Sequence, residues 1–72
     1  MPLTVAQILQ QSAERLSVFS ETPRLDAELL LARALRISRA TLLSRMQEVV
    51  EDTAFFDTLL VRRLAFEPLA YI

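Results

Sequence analysis

Acids and arginines are the residues with chemistry to offer in this 72-residue chain, since it contains no His, no Cys and no Lys. Without His there is no imidazole to act as general base or to activate a hydroxyl, and without His and Cys the usual zinc ligands are missing. Asp26 and Glu28 stand two apart in a stretch read as helix, where residues two apart do not share a face. They are expected to be solvated or to serve the first helical turn rather than to work as an acid–base pair. Glu48, Glu51 and Asp52 form a tight acidic group, and Glu51 and Asp52 read as first-turn acids of a following helix. Arg62 and Arg63 carry guanidiniums suited to bidentate contact with a phosphate or carboxylate. The plainer expectation for them is to complement a helix dipole and to salt-link to an acid such as Asp26. Arg24 and Arg39 are the arginines least explained by dipole arguments, and they are the candidate partner-binding residues. No nucleophile, base and oxyanion donor assemble, so these residues alone are not expected to make an enzyme.

Glycine is absent altogether, where average usage would give about five. A glycine-rich phosphate loop therefore cannot exist, and this stretch has no standard backbone cradle for a dinucleotide, a nucleoside triphosphate or S-adenosylmethionine. Net charge is −1, against the basic excess that nucleic-acid binding by counterion release requires. The apolar runs are too short to span a membrane and the N-terminus lacks the pattern of a secretory signal, so the expected compartment is the cytoplasm.

The elements that would position these side chains are helical. Thr4 with Gln7 makes a capping box, and Leu3 and Ile8 occupy the positions of a hydrophobic staple. Val5, Ile8, Leu9, Ser12, Ala13 and Leu16 then share one face of a helix over about 4–17. Ser17 to Glu21 link it to a second helix, Val18 and Phe19 folding back over the core. That second helix, roughly 23–35, has Thr22 as N-cap and Pro23 at its first position. Leu29, Leu30 and Leu31 point in three directions, the mark of a helix packed on several sides, and Leu29 and Leu30 are both expected in the core. Ser38 caps a short third helix with Leu42, Leu43 and Met46 inward. A fourth runs to about Ala65 with Phe55, Phe56, Leu59, Leu60 and Leu64 buried. Leu69 to Ile72 could add a turn. No window alternates long enough to argue a strand. The predicted fold is all-α, a small bundle of four to five short helices. The apolar ending Leu69, Tyr71 and Ile72 reads as a piece cut from a longer polypeptide.

Leu31 to Leu42 resembles the helix-turn-helix of bacterial transcription regulators, in which a turn often reading Leu-Gly-Ile-Ser precedes a recognition helix beginning Arg-x-Thr-Leu. Arg36 in place of the turn Gly, the negative net charge and the acids close behind argue against DNA binding.

Two motifs at a fixed separation point elsewhere. Thr22-Pro23-Arg24-Leu25-Asp26-Ala27-Glu28-Leu29-Leu30-Leu31-Ala32 resembles the S-P-R-x-D-A-E-x-L-L-x signature of the release-factor glutamine methyltransferases, the HemK/PrmC family. Arg62-Arg63 followed by Glu67-Pro68-Leu69-Ala70-Tyr71-Ile72 looks like that family's R-R-x-x-G-E-P-L-A-Y-I element. The helix Ser38-Arg39-x-x-Leu42 between them also fits, so the resemblance spans essentially the whole chain. It implies an N-terminal helical domain, residues 1–72, followed in the parent by a C-terminal methyltransferase domain that binds S-adenosylmethionine. It further implies that the whole enzyme methylates the Gln of the Gly-Gly-Gln motif in class I peptide chain release factors, the helical domain helping to recognise that partner without doing catalysis. Arg36 and Phe66 stand where the family has Gly, which puts the ends of helices 2 and 4 in question. A purely structural domain that steadies its neighbour is the remaining alternative.

Overall fold

In the computed structural model, residues 2–65 are described. In chain order the elements are β1 (Leu3–Thr4), α1 (Val5–Leu16), α2 (Pro23–Leu35), α3 (Arg39–Leu43), β2 (Val49–Val50) and α4 (Ala54–Leu64). The predicted bundle is present, with four helices among the described residues and one minor addition. β1 and β2 pair antiparallel, Leu3 opposite Val50 and Thr4 opposite Val49. Two residues per strand are too few to leave a period-two pattern, so the expectation of no strand is corrected by a pairing that tertiary packing sets.

The capping box at α1 forms as expected: the Gln7 amide donates to Thr4 Oγ1 at 3.2 Å and the Thr4 amide donates to Gln7 Oε1 at 2.9 Å. The next two amides, Val5 and Ala6, donate to the carbonyls of Glu48 and Met46 at 2.9 and 3.0 Å. The first turn of α1, whose amides have no partner within the helix, thereby fastens the segment between α3 and β2.

α2 is the central element, packed against α1, α3 and α4. Ala27, Leu30, Leu31 and Ala32 are buried with Val5, Ile8, Leu9 and Leu16 of α1, Leu42 of α3, Val50 of β2 and Phe56, Leu59 and Leu60 of α4. The helix is not buried all round, however. Leu25 and Leu29 stay 38% and 40% exposed, which corrects the expectation that Leu29 is core. They lie one turn apart on the side that no neighbouring helix seals among the described residues. Leu43 and Phe55 are exposed as well: each is the sequence neighbour of a fully packed residue, Leu42 or Phe56, and points about 100° away from it. Val18 is solvent-facing while Phe19 is half-buried against the core.

The helix ends differ from expectation in two places. Thr22 occupies the N-cap position of α2 with Pro23 behind it, but its hydroxyl makes no capping bond and donates instead to Asp26 Oδ1 at 3.1 Å. α4 begins only at Ala54, so Glu51 and Asp52 precede it, and Asp52 Oδ1 accepts from the Ala54 amide at 2.9 Å. Ser38 caps α3 as predicted, its Oγ accepting from the Thr41 amide at 3.0 Å. Phe66 and the predicted turn from Leu69 to Ile72 lie outside the described residues.

Arg36 ends α2 in the left-handed region, φ 59° and ψ 42°. The Ile37 amide donates to the Ala32 carbonyl and the Arg36 amide to that of Arg33, the pairing of a Schellman end that ordinarily takes Gly. Arg36→Gly is expected to stabilise the domain by about 0.5–1 kcal/mol, because relief of the Cβ clash outweighs the extra freedom gained by the unfolded chain. A denaturation midpoint that falls in the variant would contradict this.

Candidate functional site

The two acids of α2 are the polar residues around which the helices are tied, and neither is solvated as the sequence reading allowed. Asp26 is 3% and Glu28 6% exposed. Being two apart, they serve different neighbours. Asp26 Oδ2 accepts from Arg63 of α4 at 3.2 Å and from the Ser20 hydroxyl at 2.7 Å, while Oδ1 takes the Thr22 hydroxyl. The Arg63 guanidinium also lies over the Phe19 ring, 5.2 Å from its centroid. This is the expected salt link, and it joins the start of α2, the end of α4 and the α1–α2 link. Asp26 also stands in the first turn of α2, where a carboxylate is favoured by the helix dipole.

Glu28 faces α3. Its Oε2 accepts from Arg24 Nε at 3.0 Å and its Oε1 from Arg39 Nε at 2.7 Å. The two candidate partner-binding arginines, fifteen residues apart in sequence, thus converge on one buried carboxylate. Both guanidiniums remain about half exposed, 47% and 48%, and the ion pairs engage only their Nε atoms. Their terminal nitrogens keep donors for an outside acceptor, in an orientation that Glu28 holds. The (i, i+4) spacing of Arg24 and Glu28 signals the first pair. Arg39 has no such local signal, because its partner lies across the α2–α3 turn.

Burial pushes the Glu28 carboxyl up, but the hydrogen bonds from Arg39 and Arg24 and their charges outweigh it and hold the group below its ordinary 4.5. A carboxyl whose folded pKa is depressed contributes stability above its unfolded pKa and loses it as pH falls through the folded value. Denaturant unfolding is therefore expected to show wild type more stable than Glu28→Gln at pH 7, the difference shrinking as pH drops below about 4.5. Parallel curves for the two proteins through that range would refute the assignment.

A groove of about 290 Å³ has Val5, Leu35, Ile37, Leu42 and Val50 in its walls. Its polar lining is Arg45, Glu48, Glu51 and Asp52, where Arg45 and Glu48 form an exposed pair at 3.8 Å. The acidic group of the sequence thus lines a groove whose walls include Leu35 and Ile37, the neighbours of Arg36 at the end of α2.

As a recognition helix, α3 fits poorly. It is five residues long, and Arg39, which would lead it into a groove, is bound to Glu28. The fold and site together describe a small helical domain that presents fixed guanidiniums at its surface. The chain belongs to the PrmC N-terminal domain family, whose model matches residues 7–72. It is 39% identical, over its full length, to a release factor glutamine methyltransferase of Aliivibrio fischeri, and 40% identical over 97% of its length to one of Coxiella burnetii. A third protein of that name, from Nitratidesulfovibrio vulgaris, is 36% identical over 96% of the chain. The chain spans about a quarter of the length of each of these relatives. No solved structure matches it. Among the described residues, no helix is long and apolar enough to cross a membrane.

Proposed function

We propose that this chain is the substrate-recognition domain of a release factor glutamine methyltransferase, and that it binds a class I peptide chain release factor in the cytoplasm. Methyl transfer from S-adenosylmethionine to the glutamine amide belongs to a C-terminal catalytic domain beyond these 72 residues. The relatives are about four times longer than the stretch they share with this chain, which leaves room for such a domain. The observation that carries the proposal is the Arg24–Glu28–Arg39 cluster: two half-exposed guanidiniums pre-oriented by a buried acid, on elements that also hold the core together. Arg24 and Arg39 are the proposed contact residues. Guanidiniums held in this way lose little conformational freedom on meeting a carboxylate, which favours a protein partner with acidic side chains at the interface.

The proposal is tested in trans. Excess 72-residue chain should compete with the full-length enzyme for its release factor and raise the apparent KM for it without lowering kcat. An Arg24→Ala/Arg39→Ala double variant that still melts cooperatively should compete at least about tenfold more weakly, one lost charge-assisted hydrogen bond being worth about 1.5–3 kcal/mol. Methylation kinetics that are indifferent to a large excess of the chain would overturn it.

A further inference from the structure

We infer that the uncovered stripe of α2, Leu25 and Leu29 ringed by arginines, is the surface on which the release factor docks, and that it meets apolar side chains flanked by carboxylates. The inference rests on the proposed function and adds to it the residues and the chemistry of the contact. Leu25 and Leu29 are one turn apart and 38% and 40% exposed, on a helix whose Leu30 and Leu31 are sealed in the core. Arg33 continues the same stripe one turn further, and Arg36, held in the left-handed cap, closes its C-terminal end. Arg24 and Arg39, fixed on Glu28, border it on the α3 side. Arg33 and Arg36 are exposed and have no ion-pair partner among the described residues.

Charge is sorted along the chain in the same sense. Residues 22–39 hold four arginines and two acids, and both of those acids are buried. The exposed acids of the described residues lie outside that stretch, Glu14 and Glu21 before it and Glu48, Glu51, Asp52 and Asp57 after it. A protein with net charge −1 thus presents a locally basic face with an apolar centre. The leucines decide which anion the face is built for. A nucleic-acid backbone would satisfy the arginines but offers a phosphate-rich surface against which two leucine side chains gain nothing. A protein surface with an apolar centre and an acidic rim satisfies both, the arrangement found where anchors are desolvated inside a polar border.

The test compares release-factor affinity of the wild-type chain with Leu25→Ala/Leu29→Ala and with Arg33→Glu, alongside thermal melts and duplex DNA as competitor. Binding is expected to weaken about tenfold in the leucine variant and several-fold in Arg33→Glu, with melting little changed since these side chains are outside the core. DNA should not compete. Should the leucine variant melt lower, Arg33→Glu carries the test alone, and undiminished affinity in it would overturn the inference. Binding of wild type with leucine-variant affinity within twofold would overturn the docking surface and leave the recognition role standing. No binding by wild type would overturn both. Competition by DNA that Arg33→Glu abolishes would assign the face to nucleic acid instead.

Discussion

Leu30→Ala is expected to destabilise the domain by about 2–5 kcal/mol, the range for emptying a leucine site in a packed core. Leu30 is 1% exposed on the central helix. A chain of this size holds about 4–11 kcal/mol in total, so the variant should be substantially unfolded at modest denaturant. Leu29→Ala, one residue away, should cost below about 1 kcal/mol, because Leu29 is 40% exposed and leaves no closed cavity. Urea unfolding of the pair reads the orientation of α2 directly. Equal losses at both sites would mean that the helix is rotated from the position described.

The second large effect is expected from Asp26→Ala, about 2–4 kcal/mol. The substitution removes the ion pair between Asp26 and Arg63, which is 19% exposed by side chain, and strips the Ser20 and Thr22 hydroxyls of their acceptor. Removing one member of a buried pair costs more than the pair contributes, because the remaining charge stays desolvated. The lower part of the usual range applies since Arg63 keeps some water and the face of Phe19. Asp26→Asn retains acceptors for the two hydroxyls and should lose less than the alanine variant. If alanine and asparagine were equally mild, the tie between α2 and α4 would contribute little to stability.

Much of this arrangement is legible from local chemistry. The Thr4–Gln7 capping box, Ser38 before α3 and Pro23 at the start of α2 each involve residues within one turn of each other, where side-chain type dictates the backbone partner. The link from the 62–63 arginine pair to Asp26 also follows, since a guanidinium near a helix end seeks an acid. The departures arise where tertiary packing chooses among equivalent residues. Leu29, Leu30 and Leu31 are identical in type, and nothing local says that Leu29 faces water. Phe55 and Phe56 pose the same choice. Glu28 looks like a surface acid until Arg39 is brought over it by the α2–α3 turn, so neither its burial nor the convergence of Arg24 and Arg39 can be read from spacing alone. Arg36 is the sharpest case. Its type argues against a left-handed cap, yet the Schellman hydrogen bonds and the packing of Ile37 on the core hold it there.

The central claim is that this domain recognises a release factor, and direct binding tests it most plainly. The wild-type chain should be titrated with a purified class I release factor and with duplex DNA, each at two salt concentrations. Saturable release-factor binding that weakens moderately with salt, with DNA binding weak or absent, is the predicted result. Tight and steeply salt-dependent DNA binding together with no measurable affinity for the release factor would contradict the account.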